Sequence, residues 1–320
     1  MKTLLLGRKD LEKILTMELA VPAVEAAFAA HGRGEAVMPP KIYLPLPKHH
    51  GDFRAMPAYL DGAVGVKWVN MHPENPRRHK LPAVMGVYVL SDPDTAAPLA
   101  ILDGTLLTAF RTGAAGAVAS KYLAPKDPAT IGLVGCGTQA RYLLRAHRLL
   151  FPRLRPVLYD VAPEAVARFA AEEGGHPGAV DQAASCDIVC TTTPARGPVV
   201  YRAFVGISTH INAMGADAPG KQEIDPEILN EATVVVDDIL QACESGEVNV
   251  PLHAGTYARE KIYGTLGQVV TGLKRGRRST EITLFDSTGL AIQDLALARA
   301  AVDVARRMGL GTDFELVGDA

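Results

Sequence analysis

The chain has 320 residues, 48% of them apolar, with 33 Lys and Arg against 35 Asp and Glu and a formal net charge of −2. That is enough to bury a full core in two domains or one large one. The near-balanced charge is unlike the strong basic excess of a nucleic-acid surface. No stretch reaches the ~20 apolar residues of a membrane helix, and the first ten residues hold no signal-type apolar core, so a cytoplasmic protein with no nucleic-acid or membrane partner is expected.

The first segment reads as helical. Asp10 can cap a turn through Lys13, Ile14 and Leu15, and Val21, Val24, Ala27 and Phe28 mark one helical face that ends near Gly32 and Gly34. Five short strands follow, at 41–46, 53–59, 64–70, 83–90 and 99–103. They are separated by turn clusters such as His50-Gly51-Asp52, Asp61-Gly62 and Asp92-Pro93-Asp94. Strands this close, with links this short, predict a mostly antiparallel sheet. Residues 106–122 are Ala-rich and helical.

The pattern then changes to strand–helix alternation. A strand at 130–134 leads through a Gly-rich turn into a helix to about Leu150. A strand at 156–159 ends at Asp160, and a helix follows at 163–173 with proline first. Further short apolar strands stand at 187–191, 210–214, 233–236 and 281–285. Such alternation predicts a parallel sheet with helices on both faces. A closing helix at 290–308 is expected to return to the first domain. The fold class is therefore α/β: a Rossmann doubly wound parallel sheet at 119–294, beside an N-terminal α+β domain made of 1–118 with 295–320.

None of Cys136, Cys186, Cys190 and Cys243 forms a C-x-x-C pair, so reduced, buried thiols are expected. His49 and His50 are adjacent but lack a third ligand at a useful spacing, so no metal site is read.

The strongest motif is Gly135-Cys136-Gly137-Thr138-Gln139-Ala140, a G-x-G-x-x-A run between a strand and a helix. Gly135 permits the tight turn, Gly137 lets the backbone approach a pyrophosphate, and Ala140 lets the helix pack close. The helix start offers free N–H groups to phosphates. Asp160, at the end of the second strand, can accept both adenosine ribose hydroxyls and would repel a 2′-phosphate. No cation stands among Val161, Ala162 and Pro163, so NAD is favoured over NADP. The blander alternative is a tight turn with Asp160 capping the next helix.

Substrate groups are expected at the strand ends, where 210–217 runs into Gly215 and Asp217 and 285–289 runs into Ser287 and Gly289. The candidate cations for a carboxylate are Arg54, Lys67 and Arg111. By pattern alone Lys67 faces either solvent or a cleft. Trp68 reads as core, Asp217 could equally cap a helix, and Asp237 and Asp238 read as solvated strand-end acids.

Five runs in order, Gly65 to Pro73, Arg111 to Ala115, Gly135 to Ala140, His210 to Asp217 and Phe285 to Gly289, resemble the ornithine cyclodeaminase/μ-crystallin family across almost the whole chain. The resemblance implies a homodimer whose N-terminal domains bind substrate and pair. It implies Lys67 as the active-site lysine near the substrate carboxylate and Asp217 as the general acid/base. It implies Arg111 against substrate carboxylate or cofactor, and Lys41 where cyclodeaminases carry an arginine. Cofactor contacts are implied for Thr112, Gly135, Gly137, Thr138, Gln139, Asp160, Thr193, Gly215, Asp217, Lys221, Ser287 and Gly289.

One departure bears on substrate. Cyclodeaminases place a glutamate before Met-Pro to hold a distal ammonium, whereas here the run is Arg54-Ala55-Met56-Pro57. A cation there suits a short substrate with one amine and one carboxylate, and the run resembles the family's archaeal-type alanine dehydrogenase branch. The implied activity is reversible, NAD-dependent oxidative deamination of L-alanine to its 2-oxo acid. The rivals are ornithine cyclodeamination, ketimine or imine reduction, and μ-crystallin-like ligand binding.

Overall fold

Period-two alternation puts successive side chains on opposite faces of an extended chain, and the first hundred residues fold accordingly. In the computed structural model, which describes residues 2–318, β1 (Thr3–Leu6), α1 (Arg8–Ile14) and α2 (Met17–Gly32) come first. They lead into β2 (Ala36–Val37), β3 (Ile42–Leu46), β4 (Gly51–Leu60), β5 (Ala63–Met71), α3 (Asn75–His79), β6 (Val84–Ser91) and β7 (Pro98–Asp103). The chain then enters α4 (Gly104–Leu123). One compact unit breaks off within that helix at Arg111, and a second unit, Thr112–Gly289, begins.

The second unit holds β8 (Thr130–Val134), α5 (Thr138–Leu150), β9 (Arg155–Tyr159), α6 (Pro163–Glu173), β10 (His176–Pro177), α7 (Val180–Ala184), β11 (Ile188–Thr191), β12 (Arg196–Val200), β13 (His210–Ala213) and β14 (Gln222–Ile224). It continues through α8 (Pro226–Glu231), β15 (Thr233–Val236), α9 (Ile239–Ser245), α10 (Asn249–His253), β16 (Gly264–Thr265), α11 (Leu266–Val270) and β17 (Thr283–Asp286). The first unit resumes at Leu290 with α12 (Ala291–Met308) and β18 (Thr312–Phe314). The compact units thus divide at 111/112 and 289/290. The first division lies inside one uninterrupted helix, where no local signal marks it.

The first unit is one eight-stranded sheet in the order β18-β1-β7-β6-β5-β4-β2, with β3 also on β4. Every pair is antiparallel except β1 with β7. α12 packs on α2 and on β4, β5 and β6. The inner face carries Arg54, Met56 and Ala58 from β4, and Gly65, Lys67 and Val69 from β5, all buried. This parity corrects the core reading of Trp68. With Lys67 turned inward, Trp68 must point outward, and it is 45% exposed and stacked on Phe53. Asp10 is likewise not the cap of α1 but its third residue, and its carboxylate accepts the Gly7 N–H at 3.1 Å.

The second unit's sheet is parallel throughout, in the order β10-β9-β8-β11-β13-β17-β15-β16. From β10 to β17 this matches the 3-2-1-4-5-6 order of dinucleotide-binding sheets. The order in which strands are added reverses between β8 and β11, so the crevice that binds ligands in such sheets opens beyond the carboxyl ends of those two strands. A separate parallel pair, β12 with β14, lies outside this sheet. Among the described residues no single helix is long and apolar enough to cross a membrane.

Candidate active site

Sheet parity delivers Lys67 to the inner face of the first unit. Its side chain is 1% exposed, between Met56 on β4 and Tyr88 on β6 in the strand register. The Tyr88 ring lies over Gly65, where any Cβ would collide with it, so glycine is required there. Lys67 Nζ donates to Asp294 Oδ2 at 2.7 Å and to Thr108 Oγ1 at 3.1 Å. Thr108 is committed as an acceptor, because its own hydroxyl donates to the Gly104 carbonyl at 2.7 Å. Arg111 Nε lies 3.3 Å from Asp294 Oδ1, and its Nη1 donates to Gln293 Oε1 at 3.0 Å. Three elements distant in sequence therefore meet at one carboxylate, which is wholly buried.

Burial lowers the Lys67 ammonium to about 7, opposed by Asp294 and reinforced by Arg111 and Lys41. Burial also raises the Tyr88 phenol well above its ordinary value, and the Asp294 charge adds to this. Two buried donors, Tyr88 Oη and Gln293 Nε2, have no hydrogen-bond partner among the described residues. Arg54 is buried too, with Nε and Nη2 on the two Asp52 oxygens at 2.8 and 3.2 Å and its guanidinium 5.2 Å from the Tyr43 ring centre. The first unit thus gathers Lys67 and Arg111 around Asp294, while Arg54 is held by Asp52.

In the second unit, β8 is followed by Gly135 at φ +95°, a conformation that favours glycine. Gly137 precedes α5 in an extended conformation, and a Cβ built there meets nothing within 4 Å. No side chain caps α5, so its first N–H groups are left for an anion. Asp160 is not a helix cap, since α6 is preceded by Ala162. Instead its oxygens accept the Cys136 N–H at 2.8 Å and the Ala162 N–H at 2.9 Å, which ties the glycine turn to the end of β9. Each oxygen keeps acceptor capacity for a ribose hydroxyl. Val161 is 87% exposed and brings no cation. The open approach at Gly137, the uncapped helix and the buried, unpartnered Gln139 Oε1 fit a dinucleotide without a 2′-phosphate.

The loops after the neighbouring strands carry the other nominated residues. Thr193 follows β11, and Gly215 and Asp217 follow β13. No helix starts after Asp217, only a turn, so the capping alternative fails. Asp217 Oδ1 accepts from Lys221 Nζ at 2.5 Å. Both loops are tied to Glu223, which lies in none of the sequence motifs. Its oxygens accept the Thr193 N–H at 2.5 Å, the Thr191 hydroxyl at 2.6 Å and the Gly215 N–H at 2.8 Å. Ser287 and Gly289, after β17, flank Thr288.

Asp237 is not the solvated acid expected. It is wholly buried and accepts the N–H groups of Thr288 and Gly289, each at 2.7 Å. Asp238 caps α9 through the Gln241 N–H at 2.9 Å. Cys136, Cys186 and Cys190 are buried free thiols and Cys243 is half-buried, and among the described residues no cluster could hold a metal. Sequence reading missed Thr108, Gln293, Asp294 and Glu223. For Asp294 a signal existed: it shares the stripe of Ala298, Ala301 and Ala305 on a helix whose inner face, Gln293 apart, is otherwise small or apolar.

A parallel sheet of this strand order, with an open glycine turn at its switch point, defines a dinucleotide-binding protein of Rossmann type, whose chain also forms the first unit with its buried cation cluster. The chain belongs to the ornithine cyclodeaminase/mu-crystallin family, whose model matches residues 1–308. It is 48% identical over 321 residues to the alanine dehydrogenase of Archaeoglobus fulgidus, covering 98% of this chain and 99% of that protein. It superposes on an archaeal alanine dehydrogenase dimer with bound NAD at a TM-score of 0.95, with 46% identity over 99% of this chain and 100% of the other. It also superposes on the Δ1-pyrroline-2-carboxylate reductase of Thermococcus litoralis, in complex with NADH and L-proline, at 0.94, with 38% identity over 98% and 100% of the two chains.

Proposed function

We propose that this protein is an NAD-dependent amino-acid dehydrogenase that interconverts L-alanine with pyruvate and ammonia. The observation that carries the reading is the chemistry of the first unit. Two cations, Lys67 and Arg111, are buried around one internal carboxylate, and Arg54 stands where cyclodeaminases carry the acid for a distal ammonium. Such a set takes a substrate with one carboxylate and a short neutral side chain. The likeness to the Archaeoglobus fulgidus enzyme over both chains supports the same substrate.

Lys67 and Arg111, with Lys41 and Arg54, hold the carboxylate. Arg111 offers the planar fork suited to it. Gly135, Gly137, Thr138, Gln139 and Asp160 would hold NAD, which when bound would supply the hydride acceptor for Cα. Asp217 takes the amine proton and activates the water that releases ammonia. A lysine poised near 7 can hold or yield a proton at neutral pH, as such chemistry requires. Thr112, Thr193, Gly215, Lys221, Ser287 and Gly289 are assigned to the cofactor.

We also assign a homodimer in the cytoplasm. The outer face of the first sheet supports the dimer, because a row of Ile42, Ala55, Trp68 and Val87 runs directly across four strands and leaves large apolar side chains exposed.

The test is purified protein with NAD⁺ and a panel of amino acids, following NADH and ammonia together. Equal NADH and ammonia from L-alanine is the expected result. Ammonia from ornithine without net NADH would make it a cyclodeaminase and overturn the role of Arg54. Oxidation of L-proline without ammonia would place it with the imine reductases.

A further inference from the structure

We propose that Asp294 is the positioning residue of the cation cluster: its carboxylate fixes where Lys67 presents its exchangeable proton and holds Arg111 beside it. The proposal rests on the carboxylate-binding role given to Lys67 above.

The geometry makes the case. An ammonium carries three hydrogens, and two of those on Lys67 point at fixed acceptors, Asp294 Oδ2 at 2.7 Å and Thr108 Oγ1 at 3.1 Å. Neither acceptor can rotate away. Thr108 is anchored by its bond to the Gly104 carbonyl, and Asp294 sits wholly buried in the first turn of α12 with Arg111 Nε at 3.3 Å from its other oxygen. One position on Nζ remains. In the charged amine it is an N–H that can grip a carboxylate, and in the neutral amine it is a lone pair that can take a proton. Both forms therefore aim in the same direction, as a group that binds and also moves a proton requires.

The same carboxylate settles the charge. Lys67 is faced by Asp294 from α12, Arg111 from α4, Lys41 from the segment before β3 and the Tyr88 phenol from β6. Of these only Asp294 is an anion that favours the ammonium. Burial, Arg111 and Lys41 all push it toward the neutral amine, and the balance leaves Lys67 at about 7. Its site in the first turn of an eighteen-residue helix also suits a negative charge, since the free N–H groups of that turn are the positive end of the helix dipole.

The experiment reads Lys67 directly, apart from turnover. Protein labelled with 13Cε-lysine is titrated by NMR, with the Lys67 signal assigned by its loss in Lys67→Arg. The wild type is expected to titrate near 7. Asp294→Asn, nearly the same shape without the charge, is expected to lower that midpoint by one unit or more and to raise KM for L-alanine at least tenfold, with NADH affinity unchanged. A midpoint unmoved in Asp294→Asn would overturn the proposal. If that variant fails to bind NADH, Asp294→Glu decides. It is expected to keep the midpoint within half a unit of wild type while kcat falls at least tenfold, because the longer side chain displaces the ammonium. Wild-type kcat in Asp294→Glu would overturn the positioning role. If no amino acid is oxidised by the wild type but the midpoint still falls in Asp294→Asn, the substrate reading fails and the role of Asp294 in fixing Lys67 stands.

Discussion

At the scale of single residues, the side chains that matter most are those whose surroundings contradict their chemistry. An amine that is 1% exposed loses its hydration, and only the adjacent Asp294 keeps its charged form within reach of neutral pH. Lys67→Met removes that amine and leaves Asp294 facing Arg111. We expect kcat/KM for L-alanine to fall by about 10²–10⁴-fold, the usual worth of a positioned proton-transfer group, with NADH affinity unchanged. Steady-state kinetics beside a fluorescence titration with NADH check both. A mutant with wild-type kcat/KM would remove Lys67 from the mechanism.

Glu223 poses the same problem with the sign reversed. Burial raises its carboxyl, although three donors from Thr191, Thr193 and Gly215 oppose the rise. Whatever its charge, Glu223→Gln sets an NH2 group against at least one of those donors. The unmade bond should cost about 1–3 kcal/mol in urea unfolding, and loosening the Thr193 and Gly215 loops should weaken NADH binding roughly tenfold. The odd place of Lys67 and Arg111 in apolar or small-residue stretches was legible in the sequence, though by pattern alone Lys67 could equally have faced solvent. The partners of Glu223 were not legible, because Thr191, Thr193 and Gly215 belong to other strands and loops, and the stripe of α12 points Asp294 inward without naming Lys67 and Arg111 as its partners.

At the scale of elements, legibility followed length and periodicity. The strand at Thr130–Val134 and the helix at Pro163–Glu173 were readable to the residue, since each combines a clear apolar pattern with a flanking turn or proline. β1 was not. Its four residues, Thr-Leu-Leu-Leu, do not alternate, and they become a strand only by pairing with β7 on one side and β18 on the other.

The turn from β8 to α5 gives a separable prediction. Gly137 has ordinary extended backbone and open space around its Cβ position, so Gly137→Val should fold with a melting temperature near wild type. The added methyls would stand where a pyrophosphate approaches, so NADH affinity should fall at least tenfold. Unchanged affinity would mean that the phosphates bind elsewhere.

The strands and helices of the second unit also share a buried chain of polar groups. The Leu143 carbonyl can only accept, so His147 carries its proton on Nδ1, at 2.7 Å, and accepts from Ser120 at Nε2, at 2.8 Å. Asn212 donates to Ser120 at 2.9 Å and accepts from His210 at 3.2 Å. Burial lowers His147 to about 4 and His210 to about 3. Unfolded, both would titrate near 6.5. Between pH 6.5 and 4 the unfolded chain therefore binds protons that the folded chain refuses. Stability is full above 6.5 and falls as the pH drops. At pH 4.5 each histidine should withhold ~2–3 kcal/mol. Urea unfolding at pH 6.5 and 4.5 checks this, and His210→Gln should recover about half the loss.

At the scale of the whole molecule, the outer face of the first sheet remains to be accounted for. A single chain covers the inner face with α12, on which α2 packs, yet across β3, β4, β5 and β6 the outer face presents Ile42, Ala55, Trp68 and Val87 in one unbroken row. Trp68 and Phe53 stack there with ring centres 5.2 Å apart and planes 16° from parallel, which adds aromatic surface to the row. A contiguous apolar patch of this kind is covered in a stable soluble protein, and an isologous contact with a second copy covers it on both chains at once. The archaeal relative that superposes at 0.95 is itself a dimer.

Trp68 also follows Lys67 in sequence, so whatever seats the outer face bears on the backbone that aims the lysine inward. Trp68→Glu puts a charge at the centre of the patch while leaving the inner face untouched. We expect light scattering to show the mutant shifted from dimer to monomer, with a lower melting temperature and reduced kcat at concentrations where the wild type stays paired. A mutant that remains dimeric would move the interface off this sheet. A monomer with undiminished kcat would keep the interface and sever its link to Lys67.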